Sequence, residues 1–142
     1  WMESSSERQR MVNPRKVYPI DPGLIPIYDR SGRSNQGHAL ETVVLLELER
    51  RGAEVTYVRT SDGYEVDFLA RYNDGSSELI QVCGDASDPQ TAAREMRALQ
   101  TAAAAHPTAV SRLLTATRAG LPSFIPDSVT AEPAWQWILR GT

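Results

Sequence analysis

From Glu54 to Cys83 the chain reads "EVTYVRT", "SDG", "YEVDFLARY", "NDG" and "SSELIQVC". Apolar and polar residues alternate with period two in the first two long stretches, the pattern of strands buried on one side. Ser61-Asp62-Gly63 and Asn73-Asp74-Gly75 separate the stretches, and both are turn sequences that use glycine for a positive φ. Three strands linked this tightly pair in order as an antiparallel meander, and everything else must be arranged around that ribbon. One residue resists the pattern. Asp67 lies inside the second strand, where a carboxylate is costly unless it is exposed or partnered.

The flanks supply helices. From Gln36 to Arg51, Leu40, Val43, Val44 and Leu48 recur at three and four, with Leu45 and Leu46 widening the stripe. This predicts a helix buried on more than one side, capped by Asn35 and ended by Gly52. After the meander, Asp88 and Pro89 open "PQTAAREMRALQTAAAAH", an alanine-rich second helix with Ala92, Met96, Leu99 and Ala103 as its apolar face, stopped by Pro107. "KVYPID" reads as a first strand closed by Asp21-Pro22-Gly23, the chain from Leu24 to Ser34 as a loop, and "AVSRLLTAT" as a fourth strand. "PSFIPDSV" holds a further strand, and "PAWQWILR" a closing helix. Residues 1–14 are polar and unpatterned, a linker or arm ahead of one domain over 15–142. The order predicts an α/β (α+β) fold, a central mixed sheet with helices on both faces.

Charge and cysteine narrow the function classes. A net charge of -3 means that a nucleic-acid partner would need a local basic patch. Lys16 is the only lysine. The single cysteine, Cys83, excludes an internal disulfide and fits a cytoplasmic setting. Glu41, Glu47 and Glu49 interrupt the longest apolar run, so no membrane span is expected. Trp1 in place of a methionine reads as a fragment of a longer protein, and the sequence contains no GxxxxGK[ST] phosphate loop.

An acidic residue in the first helix, Asp67 on the second meander strand and a polar-x-polar pair on the third resemble the restriction-endonuclease-like PD-(D/E)XK fold, with its αβββαβ core. More narrowly, "KVYPIDPGL", "GHALETVVLLEL", "EVDFLA" and "ELIQVC" resemble the C-terminal domain of unknown function found behind the AAA+ module of many bacterial and archaeal ATPases. The resemblance covers about residues 15–140. It implies a partner in the upstream ATPase domain of the same chain. In nucleases of this fold the helix glutamate, the strand aspartate and the acid of an E-x-K pair hold Mg²⁺, while the lysine readies the attacking water. By motif position Glu41 and Asp67 match. Gln81 stands where the acid belongs and Cys83 where the lysine belongs.

An amide offers a magnesium ion oxygen without charge, and a thiol is a soft ligand that supplies no ammonium. Arginine stays protonated and is no substitute base. Glu41, Asp67, Gln81 and Cys83 therefore read as a vestigial nuclease site with no catalytic residue, no bound metal and no cofactor, in a domain that binds a protein or nucleic-acid partner. A divergent nuclease using Mg²⁺ on Glu41, Asp67 and Gln81 is the enzymatic alternative, and a pure protein-protein interaction module is another.

Plainer readings stand beside these. Period two sets Glu65, Asp67, Leu69 and Arg71 on one face, so Asp67 also reads as a residue of the wetter side. Glu41 also reads as a solvated glutamate, Cys83 as a packed strand residue, and Gln81 as a partner of Asp67 or of backbone. Arg94, Arg97, Arg112 and Arg118 would contact phosphate if they cluster in space. His38 and His106 lack ligand spacing. Trp135 and Trp137 read as apolar plugs rather than a base-stacking pair.

Overall fold

The structure is a computed structural model that describes Asp21 and residues 36–141. The expected first strand in "KVYPID", apart from Asp21 in a bend, lies outside the described residues. So do the arm over 1–14, the loop from Leu24 to Ser34 and the Asn35 cap.

The elements run α1 (Gln36–Arg50), β1 (Glu54–Arg59), β2 (Glu65–Arg71), β3 (Ser77–Val82), α2 (Pro89–Ala105), β4 (Val110–Thr115), β5 (Val129–Pro133) and α3 (Ala134–Arg140). They build one five-stranded sheet in the order β1-β2-β3-β4-β5. The meander is antiparallel as its turns require, with Gly63 at φ 84° and Gly75 at φ 86°. β4 then pairs parallel to β3, and β5 parallel to β4. A parallel neighbour cannot be reached by a tight turn, and α2 is the crossover that returns the chain to the same end of the sheet.

The faces carry separate cores. α1 and α3 cover one: Val44, Leu48, Ala134 and Trp137 pack with Phe68, Ala70, Ile80, Val82 and Leu114. α2 covers the other: Met96, Ala98, Leu99 and Ala102 pack with Val66, Leu69, Leu79 and Leu113. Each fully buried Leu or Ile contributes about 1.5–3 kcal/mol, so these two layers outweigh any single polar contact in holding the fold. The α/β mixed sheet with helices on both faces is thus the architecture of the described chain.

Two expectations shift. The buried stripe of α2 is Glu95, Met96, Ala98, Leu99 and Ala102, with Ala92 and Ala103 only half-buried. The last strand does not fill "PSFIPDSV" but begins at its final residue, Val129, and runs "VTAEP". Pro122 and Pro126 lack the N–H that a ladder uses, and the Pro126 carbonyl accepts from Val129 N–H at 2.9 Å, a turn that delays the strand. The strand exists because β4 offers it a parallel edge, with Ser111 opposite Val129 and Thr115 opposite Pro133. Among the described residues no helix is long and apolar enough to cross a membrane.

Candidate functional site

Asp67 owes its position to a break in the sheet. Thr56 pairs with Leu69 and Val58 with Val66, so two steps along β1 meet three along β2. This β-bulge turns Val66 to the same side as Leu69 and ends strict alternation. The expected division of β2 into a wet and a dry face is corrected accordingly: the strand is buried from Val66 to Ala70, and Asp67 is 6% exposed. The β2–β3 ladder runs only from Phe68 opposite Ile80 to Arg71 opposite Ser77. Beyond it, side chains take over. Asp67 Oδ2 accepts from Val82 N–H at 2.9 Å, and Asp67 N–H donates to Gln81 Oε1 at 3.3 Å. The carboxylate is tolerated inside the sheet because it replaces a missing backbone acceptor.

Gln81 joins this strand pair to α2. Its Nε2 donates to Glu95 Oε2 at 2.7 Å. The other oxygen of Glu95 accepts from Arg94 Nε at 3.0 Å and Nη2 at 2.6 Å. Glu95 is 5% exposed, whereas the Arg94 side chain is 70% exposed, so the ion pair runs from the interior to solvent. Tyr64, Glu65, Asp67, Gln81, Arg94 and Glu95 line an open cavity of about 340 Å³.

The sequence reading missed Glu95, although helical spacing put it in line with Ala98, Leu99 and Ala102, at i+3, i+4 and i+7. Of the expected site residues, Asp67 and Gln81 meet in this cavity, and Glu41 is absent from its lining. Glu41 lies on α1, which packs on the opposite face of the sheet from α2, with its Oε1 3.8 Å from His38 Nδ1.

The donors present do not fit a hard divalent ion. Mg²⁺ needs oxygen lone pairs turned toward it, preferably anionic. Here one Glu95 oxygen is held by an amide N–H and the other by a guanidinium, the Gln81 oxygen is on a backbone N–H, and Asp67 Oδ2 is on another. Among the described residues no group of three or more His, Cys, Asp or Glu could hold a metal ion. Cys83 is half-buried against the α2-side core, and its thiol donates to the Asp85 carbonyl at 3.2 Å. Burial, and then the charge of Glu95, push its pKa up, away from a reactive thiolate.

The four arginines do not form one patch. Arg94 and Arg97 are on α2, where Arg97 Nη1 donates to the Tyr64 hydroxyl at 3.4 Å. Arg112 is corrected from a phosphate contact to an internal cation. On the α1 and α3 side of the sheet it binds Glu78 at 2.6 Å and Glu132 at 2.7 Å, and is 14% exposed. Period two had aligned it with buried Leu114, a signal that the sequence reading did not use. Arg118 is exposed, donates to Gln136 and lies over the Trp135 ring. The two tryptophans part company: Trp137 is in the core, and Trp135 is half-exposed. His106 is the C-cap residue of α2.

Fold and site together define an α/β protein with a mixed five-stranded sheet and a polar cavity where two meander strands separate under the crossover helix. Over 105 residues, 71% of this chain, it is 34% identical to a protein of Methanocaldococcus jannaschii described as "Uncharacterized protein MJ1544". The match spans 22% of that protein's length. No family model matches the chain, and no solved structure gives a significant match.

Proposed function

We propose that the chain is a non-catalytic, PD-(D/E)XK-like accessory domain of a larger AAA+ type ATPase, acting by binding rather than by bond cleavage. One observation carries the reading: Asp67, Gln81 and Glu95 spend their polar atoms on each other, on backbone N–H groups and on Arg94. A hydrolytic site keeps oxygens free for a metal and a base free for water. This cavity is satisfied without either. An accessory role within a longer chain is supported by a relative of which the matching segment is only 22%. The upstream ATPase domain is then a partner in the same chain. A cytoplasmic setting belongs to the same reading, with Cys83 a free thiol.

Asp67 and Gln81 do share a cavity, and this favours the second reading, a divergent metal-dependent nuclease in which Glu95 rather than Glu41 brings the second carboxylate. Incubation with Mg²⁺ or Mn²⁺ and single- or double-stranded DNA separates the two. The binding reading expects intact DNA. Cleavage that disappears in Asp67→Ala would establish the nuclease.

A further inference from the structure

A groove of about 350 Å³ runs between α2 and the segment leading into β5. Ala92 and Met96 form its floor, and Pro122, Phe124 and Pro126 its far wall. Phe124 is 76% exposed, the most exposed large apolar side chain among the described residues. Folding gains nothing from leaving a phenyl ring in water, and small residues beside Met and Phe are the composition of a surface that adapts to an apolar side chain.

The groove carries one charge in its lining, Arg97. Arg94, one turn away, is neutralised by Glu95, whereas among the described residues Arg97 has the Tyr64 hydroxyl, at 3.4 Å, and no carboxylate as a partner. Two acids at the start of α2 are turned elsewhere. Asp88 caps α2 through Thr91 N–H at 2.8 Å, and Asp85 accepts from Ser87 N–H at 2.9 Å. An occupant that covered Arg97 with apolar surface alone would desolvate a cation without return, whereas a carboxylate would compensate it.

We infer that this groove docks a short segment of a partner protein that places an apolar side chain against Met96 and Phe124 and an adjacent carboxylate on Arg97. Nucleic acid is disfavoured: phosphate binding gains from several cations side by side, and the described lining of this groove holds one, Arg97, on a chain of net charge -3. The inference goes beyond the proposed function and stands whether or not the Asp67 cavity cleaves anything.

Random dodecapeptides displayed on phage, selected against the full chain, provide the test. Enriched peptides should carry Asp or Glu beside Leu, Ile, Phe or Trp. A synthetic copy of the best one, labelled with fluorescein, should bind in anisotropy titrations and lose about tenfold or more in affinity with Arg97→Glu or with Phe124→Ser. Both substituted side chains are exposed, and unchanged melting of the variants confirms that their folds are intact. Replacing the peptide's acids with Lys should abolish binding to the wild type and restore part of it with Arg97→Glu. Peptides enriched without an acid, no enrichment at all, or binding indifferent to both variants would overturn the inference. So would self-association lost in Phe124→Ser, which assigns the groove to a second copy. Labelled single-stranded DNA that outcompetes the peptide and is lost with Arg97→Glu would overturn it in favour of nucleic acid.

Discussion

The two faces of the sheet use charge in opposite ways. Under α1 and α3, ionised groups close on one another. Tyr72 donates to Glu78 at 2.9 Å, Glu78 and Glu132 flank Arg112, and Arg140 pairs with Glu132. Glu47 holds Arg50 and Arg51, and Arg51 reaches the Trp137 carbonyl while its guanidinium lies over the Trp137 ring. This network ties the end of β2, the strands β3 to β5 and α3 together, and it leaves little charge for a ligand. Among the described residues the polar groups under α2 are fewer and open to a cavity, and next to them stand an exposed phenyl ring and an arginine that pairs with a tyrosine hydroxyl rather than an acid. One face is built to hold the fold, and the other is where recognition has material to work with.

The comparison breaks most visibly at Arg112. Arg112→Met takes their shared cation from half-buried Glu78 and buried Glu132, leaving them the Tyr72 hydroxyl and the exposed Arg140, and a loss of about 3 kcal/mol is expected in chemical denaturation. A loss below about 1 kcal/mol would mean that the network is ornamental to stability. On the α2 face, Gln81→Leu strands one oxygen of Glu95 and the Asp67 N–H. A smaller loss of about 1–3 kcal/mol is expected by the same assay. If it equals or exceeds the Arg112 loss, the contrast between the faces is wrong.

Acid titration sharpens the contrast further. The hydrogen bond from Arg50 lowers the pKa of Glu47, with Arg51 adding to it against the effect of burial. A carboxyl whose folded pKa is depressed contributes stability that is present above its unfolded pKa, about 4.3, and lost as pH falls through the folded value. Glu47→Gln should therefore flatten the fall of stability with pH below about 4.3 and leave the slope near neutrality unchanged. An unaltered acid limb would show that the pair is not coupled to folding. The smallest effect belongs to the groove: Phe124→Ser should change stability by less than about 0.5 kcal/mol, since its ring is mostly in water. A larger loss would make Phe124 part of the core and leave the groove without its wall.

Much of the fold was legible because turns and periodicity are local. The two Asp-Gly turns, the Asp88 cap with Pro89 and the two long helices lie where the sequence put them. The site was legible only in part. Asp67 and Gln81 stand out in the sequence and do meet, but Glu95 went unremarked there and Arg112 was grouped with arginines that would meet phosphate, not with the core. Both sit at positions whose period, three and four on α2 and two on β4, already aligned them with buried neighbours.

By itself the sequence determined the strand and helix types, the antiparallel meander and the scarcity of lysine, since each depends on dihedral preference, side-chain period or composition within a short window. Only the tertiary structure decided the bulge that buries Asp67, the pairing of Gln81 with Glu95, the start of β5 at Val129 and the separation of Arg112 from Arg94 and Arg97. Those depend on which backbone groups a neighbouring element leaves unpaired, and a buried charge is stable only where a partner distant in sequence arrives to meet it.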